Sequence, residues 1–427
     1  MYHLNQAWRP LSRRCIRGAR QAQSQAHGER QGFAAAICAI LIAGVILPTA
    51  LTTDAKAAQK FTKADLEGTW NVHGLVSGCP DDFQGWVYGT MTCDSNGLFT
   101  QQTTDRTGEE GSPVGGVFEI SPEGVITIPG GSGHGSSFHG VMRNNKDTIV
   151  LTGNDGGGGC FLVVCTRIVG TFATGDFEGT WVYHGLISGN EPDQVPGWYY
   201  LSMTADKFGN ARFSTIADSQ GNRHYTVRPS QFSVAANGVV SQYDPQGELL
   251  FFHGAMNPAK DTIVAVATMA PGSIEDIRGY NLMVVEKQVP GAYGMSDLIG
   301  RWYVHGLVSG STYNEWTGWY HLTSVADSQG KGNIVPGSYL NSHGETEQAG
   351  ISLMSMTGDG IITMSSPTGF HGVMSLGKDM WVGTMYDGGG GYGLSIAIGR
   401  PGDKFDFDGD GDVDFVDFAD FASHWLN

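Results

Sequence analysis

The sequence of 427 residues predicts an all-β protein made of three tandem copies of one unit. Repetition is the first observation behind that reading, and fixed-period self-similarity is the mark of a repeat architecture. Asp65 opens DLEGTWNVHGLVSG, Asp176 opens DFEGTWVYHGLISG and Asp297 opens DLIGRWYVHGLVSG. A second landmark follows in each copy: FHGVMRNNKDTIV from Phe138, FHGAMNPAKDTIV from Phe252 and FHGVMSLGKDMWV from Phe370. Composition is the second observation. With 64 Gly, abundant Thr, Val and aromatics, and only 16% charged residues, the chain favours strands and tight turns. The third is an absence of pattern: between residues 60 and 400 no stretch sustains a 3.6-residue apolar period, so helices there are expected to be short.

In chain order, residues 1–57 read as an export signal. Arg9, Arg13, Arg14, Arg17, Arg20 and Arg30 form a cationic start. An apolar run from Phe33 to Ala50 follows, then the small-residue stretch Asp54-Ala55-Lys56-Ala57-Ala58, with cleavage expected after Ala57. The other reading is an uncleaved anchor, since about 18 apolar residues just span a bilayer. Cleavage leaves 18 basic against 40 acidic side chains, a net charge of −22, and no second membrane-length run. So acidic a chain is no nucleic-acid binder, because phosphate recognition needs clustered Lys and Arg. Cys79, Cys93, Cys160 and Cys165 remain, an even number in an exported chain, so disulfides are expected. In an extended CFLVVC segment, Cys160 and Cys165 stand about 16 Å apart, too far to bridge. A pairing between the two halves of the set is favoured instead.

The units take residues 58–168, 169–288 and 289–402. In the first, strands are expected at Thr69–Ser77, Trp86–Cys93, Leu98–Thr104, Gly116–Ile120, Val125–Pro129, Phe138–Arg143, Thr148–Thr152 and Phe161–Arg167, separated by the turn formers DSNG, SPEG, RNNKD and NDGGGG. Two architectures fit eight strands per unit. In a six-bladed β-propeller each unit supplies two four-stranded blades. The half-unit likeness between GWVYGTMTCDSNGLFTQQTTD and SFHGVMRNNKDTIVLTGND favours it, and the segment from VFEISPEGVITIP to CFLVV resembles a blade of propellers built from YVTN-type repeats. The alternative is three up-and-down barrels, since DLEGTW resembles the G-x-W opening of lipocalin-like barrels, in which the Trp plugs one end.

Within the body, His73, His184 and His305, and again His139, His253 and His371, stand in repeated His-Gly pairs. Either each fills one structural slot and donates to a backbone carbonyl, with Gly admitting a close neighbour, or the six converge on a channel and ligate a metal. Trp70, Trp181 and Trp302, and Trp86, Trp198 and Trp319, read as packing anchors. An exposed indole is also a platform for a sugar face, and Trp316, outside the shared landmarks, is the best placed for that. Trp381 stands where the other copies have Ile149 and Ile263, so it is expected to pack inward. The Lys-Asp dipeptides at Lys146, Lys260 and Lys378 read as solvated turns, and the DGGGG runs at Asp155 and Asp387 as hairpins rather than phosphate loops. No catalytic residue emerges, and acid pairs for glycoside hydrolysis are a matter of spatial separation that spacing does not reveal.

Residues 403–427 carry eight Asp and one Lys. Asp406, Asp408 and Asp410 stand at positions 1, 3 and 5 of a twelve-residue loop, Gly411 at the sharp turn of position 6, Asp412 at 7, Asp414 at 9 and Asp417 at 12. That spacing wraps oxygen ligands round one calcium ion, and Phe418, Phe421 and Trp425 give an exit helix one apolar face. The segment resembles a type I dockerin repeat, one copy where dockerins carry two. The resemblance implies calcium binding and docking to a cohesin-like or cell-surface scaffold. Together these readings point to a secreted or surface, non-catalytic binding protein, with extracellular polysaccharide a candidate ligand. The alternative is an extracellular hydrolase or lyase anchored by the same loop.

Overall fold

The computed structural model describes residues 60–400, apart from 78–83, 130–136, 155–158, 190–193, 222, 225–228, 245, 248, 275–276, 311–316, 347–350, 366–368 and 387–390. The export segment, Cys79, Trp316 and the proposed calcium ligands Asp406, Asp408, Asp410, Asp412, Asp414 and Asp417 lie outside the described residues.

The first repeat consists of β1 (Gly68–Ser77), β2 (Gly85–Cys93), β3 (Leu98–Asp105), β4 (Val114–Val117), β5 (Glu119–Ile120), β6 (Val125–Ile128), β7 (Ser137–Met142), β8 (Thr148–Asn154) and β9 (Cys160–Arg167). Each strand pairs antiparallel with its neighbour in sequence, and β1 pairs with β9 as well as β2. The expected fourth strand is split at buried Phe118: β4 pairs with β3 and β5 with β6, so that one segment closes the circle into an eight-stranded up-and-down barrel. The second repeat closes where Asn210–Asp218 meets Ser230–Val234, and the third where Lys331–Ile334 meets Ile351–Met356. The six-bladed propeller is therefore corrected. The chain builds three closed barrels, because strand one returns to strand eight of its own unit rather than leaving a four-stranded blade.

A 3-10 turn precedes each barrel, at Lys63–Leu66, Thr174–Phe177 and Met295–Asp297. It sets the Trp of the repeated Trp-x-x-His-Gly inside the barrel end. The indole N–H of Trp70 donates to the Leu66 carbonyl at 2.9 Å, that of Trp181 to Phe177 at 2.8 Å and that of Trp302 to Leu298 at 2.7 Å. A cation lies over two of these rings, the Arg167 guanidinium 4.5 Å from Trp70 and the Lys287 ammonium 5.2 Å from Trp181. Bulky side chains fill each interior. Phe99, Phe118, Met142 and Ile149 do so in the first barrel, with the Cys93 and Cys165 thiols among them. No disulfide is seen among the described residues; Cys160, at the outward start of β9, belongs to a different core from Cys165.

The two repeated landmarks hold each other. Among the described residues, the non-glycine positions with positive φ are Lys146, Lys260 and Lys378, at 60°, 59° and 57°. This left-handed turn carries each ammonium to the Asp that caps the 3-10 turn: Lys146 to Asp65 at 2.7 Å, Lys260 to Asp176 at 2.8 Å and Lys378 to Asp297 at 2.9 Å. The Lys-Asp dipeptides are thus not solvated pairs, for the following Asp147, Asp261 and Asp379 are buried.

A fourth core lies outside the barrels. Leu75, Leu186 and Leu307, at one position of the three first strands, are fully buried in a cluster drawn from all three units. Those first strands touch one another, and the first two strands of each barrel pack on the last two of the next, from one to two, two to three and three back to one. Runs such as TIVAVAT and CFLVVC are apolar on both faces because one side meets the barrel interior and the other the neighbouring barrel.

Candidate functional site

Each packing seam carries the same ladder. On the first strand, alternation turns the Trp and the Gly of Trp-x-x-His-Gly into the barrel and the His outward. The Gly is obligatory in two copies, since a Cβ on Gly185 or Gly306 would stand 2.4 or 2.3 Å from the ring of Tyr199 or Tyr320. The outward His meets the His of the second landmark in the next barrel. His73 Nε2 lies 3.0 Å from His253 Nδ1, His184 Nε2 2.9 Å from His371 Nδ1 and His305 Nε2 3.0 Å from His139 Nδ1. In each pair one neutral ring donates its N–H and the other accepts. The structural reading holds in part: each His fills one repeated slot, but its side-chain partner is a His of the neighbouring barrel, so the six stand as three separate pairs that join barrel to barrel rather than converging on one channel.

A third ring completes each rung. Tyr88 stacks on His253 at 3.9 Å, Tyr200 on His371 at 3.5 Å and His321 on His139 at 3.7 Å. Behind them stand Trp86, Trp198 and Trp319, with ring centres 5.7, 6.0 and 5.9 Å from those of Tyr88, Tyr200 and His321. Burial pushes His139, His253 and His371 down to about 4 and His321 to about 3. Burial, then the partner His, holds His73, His184 and His305 well below the ordinary imidazole value. The ladders are therefore neutral at physiological pH. Trp381, like Ile149 and Ile263, is turned inward and buried.

Where the three second landmarks converge, Arg143 is 1% exposed. Its Nε donates to Asp379 Oδ1 at 2.8 Å, and its two terminal nitrogens reach the Asp261 carboxylate at 3.2 Å each. Asn257, at the Arg143 position of the second repeat, donates to Asp147 at 2.9 Å and Asp261 at 2.7 Å. Burial opposes the Asp261 carboxylate, but Arg143 outweighs it and holds the pKa below the ordinary value. Burial, offset in part by Arg143, raises Asp147. Burial, with Asp261 nearby, pushes the Glu286 carboxyl well above its ordinary value. One guanidinium thus binds turns from all three units. Sequence reasoning missed it, although its signal was present: the residue after FHGVM or FHGAM is the variable Arg, Asn or Ser of a landmark that otherwise repeats.

Among the described residues no group of three or more His, Cys, Asp or Glu is arranged to hold a metal, and no helix is long and apolar enough to cross a membrane. A shallow cavity of about 260 Å³ on the first barrel is lined by Val87, Thr103, Asp105, Glu109, Glu110 and Gly111. Asp105 there is committed to its turn, accepting from the Thr107 N–H at 2.8 Å and its hydroxyl at 2.6 Å.

No protein-family model and no curated protein matches the chain. Among solved structures, it is similar to a transferrin binding protein B double mutant from Haemophilus parasuis (9% identity over 78% of this chain and 75% of that one, TM-score 0.26). It is also similar to transferrin binding protein B from serogroup B Neisseria meningitidis (10% identity, 79% and 77%, TM-score 0.23) and to a DUF3598-family protein from Nostoc punctiforme (10% identity, 53% and 99%, TM-score 0.22). Likenesses this distant carry no inference about what the chain binds.

Proposed function

We propose that the chain is an exported, non-catalytic binding module: a rigid three-barrel body, held to an extracellular or cell-surface scaffold by the calcium loop at Asp406–Asp417, that takes polysaccharide as its ligand. The observation that carries this reading is the fate of the repeated His. The side chains best suited to acid–base or metal chemistry are buried, neutral and spent on joining barrels. The barrel interiors are packed cores, so a ligand is taken on the outside. Support for the tether is the spacing of six Asp in a loop that repels itself without a cation. Calorimetric titration with calcium should show one site, and circular dichroism should show helix gained over residues 406–427; spectra identical with and without chelator would overturn the tether. Asp406→Asn with Asp410→Asn should abolish the calcium heat.

A second reading, an anchored hydrolase or lyase, rests on the cavity that Glu109 and Glu110 share with Asp105. Release of reducing ends from a bound polymer, lost in Glu109→Gln with Glu110→Gln, would favour it over the binder.

A further inference from the structure

The three seams share one plan, and the first shows how its outer end is sealed. Phe251 stacks on Trp86 with ring centres 4.4 Å apart, and the Trp86 N–H donates to Thr268 Oγ1 at 2.9 Å. Beside them the Arg106 guanidinium lies 4.8 Å over the Tyr280 ring and donates to its hydroxyl. Trp86 is fully buried as a result.

In the second seam the repeat register replaces the seal. Trp198 stands for Trp86, Gly369 for Phe251, Ser219 for Arg106 and Tyr386 for Thr268. A ring and a guanidinium have become a hydrogen atom and a hydroxymethyl group. Trp198 is only half-buried, and Tyr386 is 37% exposed. The Ser219 N–H donates to the Trp198 carbonyl at 2.9 Å, so the two residues stand opposite each other on neighbouring chain segments. Trp198 Nε1 and Ser219 Oγ are both buried without a hydrogen-bond partner among the described residues, whereas the first seam satisfies its indole internally. A buried donor left unpaired costs about 1–3 kcal/mol, so an unpaired N–H on a half-buried indole marks a place where a partner would be gained. The occupant of the sibling seam gives its shape: a flat ring stacked on the indole, with polar groups at its rim.

We propose that the mouth of the second seam is a carbohydrate subsite. A pyranose ring with equatorial substituents lays its C–H face on half-buried Trp198 in the place of Phe251, and a shift of the Trp198 and Ser219 side chains that uncovers their buried N–H and hydroxyl lets the sugar hydroxyls pair with them. This rests on the polysaccharide-binding reading above and names the site for it. The first seam is closed to a sugar by its own side chains; in the third, Ser137 and Ser342 stand for Phe251 and Arg106 and the indole N–H is again unpaired, but Trp319 is buried, which sets it apart from half-buried Trp198.

The test uses the full chain with calcium and four β-linked probes: cellohexaose, xylohexaose, laminarihexaose and chitohexaose. Isothermal titration and tryptophan fluorescence should show binding of at least one. Ser219→Arg, which copies Arg106 into the second seam, should weaken that binding at least about tenfold with the melting temperature and near-ultraviolet dichroism unchanged. Trp198→Phe keeps a stacking face but removes the donor, and should weaken binding several-fold; it serves if the Ser219 variant does not fold. Trp86→Phe, in the sealed seam, should bind as the parent does. Equal affinity in parent, Ser219→Arg and Trp198→Phe overturns the subsite while leaving a binding module intact. Failure of every probe to bind overturns the subsite and the polysaccharide reading together.

Discussion

Arg143 is the residue on which most depends. Its guanidinium is the buried cation facing Asp261 and Asp379, and it lies near Asp147 and Glu286. Removing one partner of a buried pair leaves an uncompensated charge, at a cost of about 3–5 kcal/mol. Arg143→Met should therefore lower the free energy of urea unfolding by that amount, whereas Lys63→Met, which breaks an exposed pair with Glu119 at 2.8 Å, should change it by less than about 1 kcal/mol. Gly306 makes a second test. A methyl there meets the Tyr320 ring inside the third barrel, and overpacking of a close-packed core costs about 1–3 kcal/mol. The first repeat differs in this respect. A Cβ on Gly74 comes nearest to the Val87 and Val163 methyls, at 3.1 and 3.2 Å, so Gly74→Ala should destabilise less than Gly306→Ala in the same assay.

Among the elements, the seam ladders set the response to acid. An unfolded histidine titrates near 6.5, whereas His139, His253 and His371 in the folded chain titrate near 4. Between these values the unfolded chain binds protons that the folded one does not, so stability falls as pH falls. The loss begins near pH 6.5 and is complete near pH 4, at about 3 kcal/mol for each such histidine. Melting temperatures at pH 7, 5.5 and 4 should fall steeply, and replacing His253 with Gln should flatten the slope; a melting temperature constant from pH 7 to 4 would contradict the ladder. The strands themselves were legible. All eight expected in the first repeat form within one or two residues, save that the fourth breaks at Phe118 and starts earlier, at Val114. Turn formers and alternating side chains are local, and local signals survive in a sequence. The ladders were not legible, because the partners of each pair stand 180, 166 and 187 residues apart in different repeats. No period within one repeat brings them together.

At the scale of the whole molecule, the half-unit likeness that favours a propeller belongs instead to strand pairs within one barrel. Strands β8 and β9 are apolar on both faces. The second face is buried here by the next barrel, through the cluster that includes Leu75, Leu186 and Leu307. Because each barrel leans on the other two, calorimetry should record one cooperative transition for the body, and Leu307→Ala should shift it as a whole by about 2–5 kcal/mol. Three separated transitions would mean that the shared core contributes little. In every barrel, moreover, the first strand lies beside the last. The Arg400 guanidinium accordingly rests 4.7 Å over the Phe61 ring and donates to the Met142 carbonyl at 2.9 Å, so the entry to the first barrel and the exit from the third are neighbours. The order of the units along the polypeptide is then incidental to the assembly. A circularly permuted gene that joins residue 400 to residue 60 by a short Gly-Ser bridge and opens the chain near Gly170 should yield the same molecule with its modules read second, third, first.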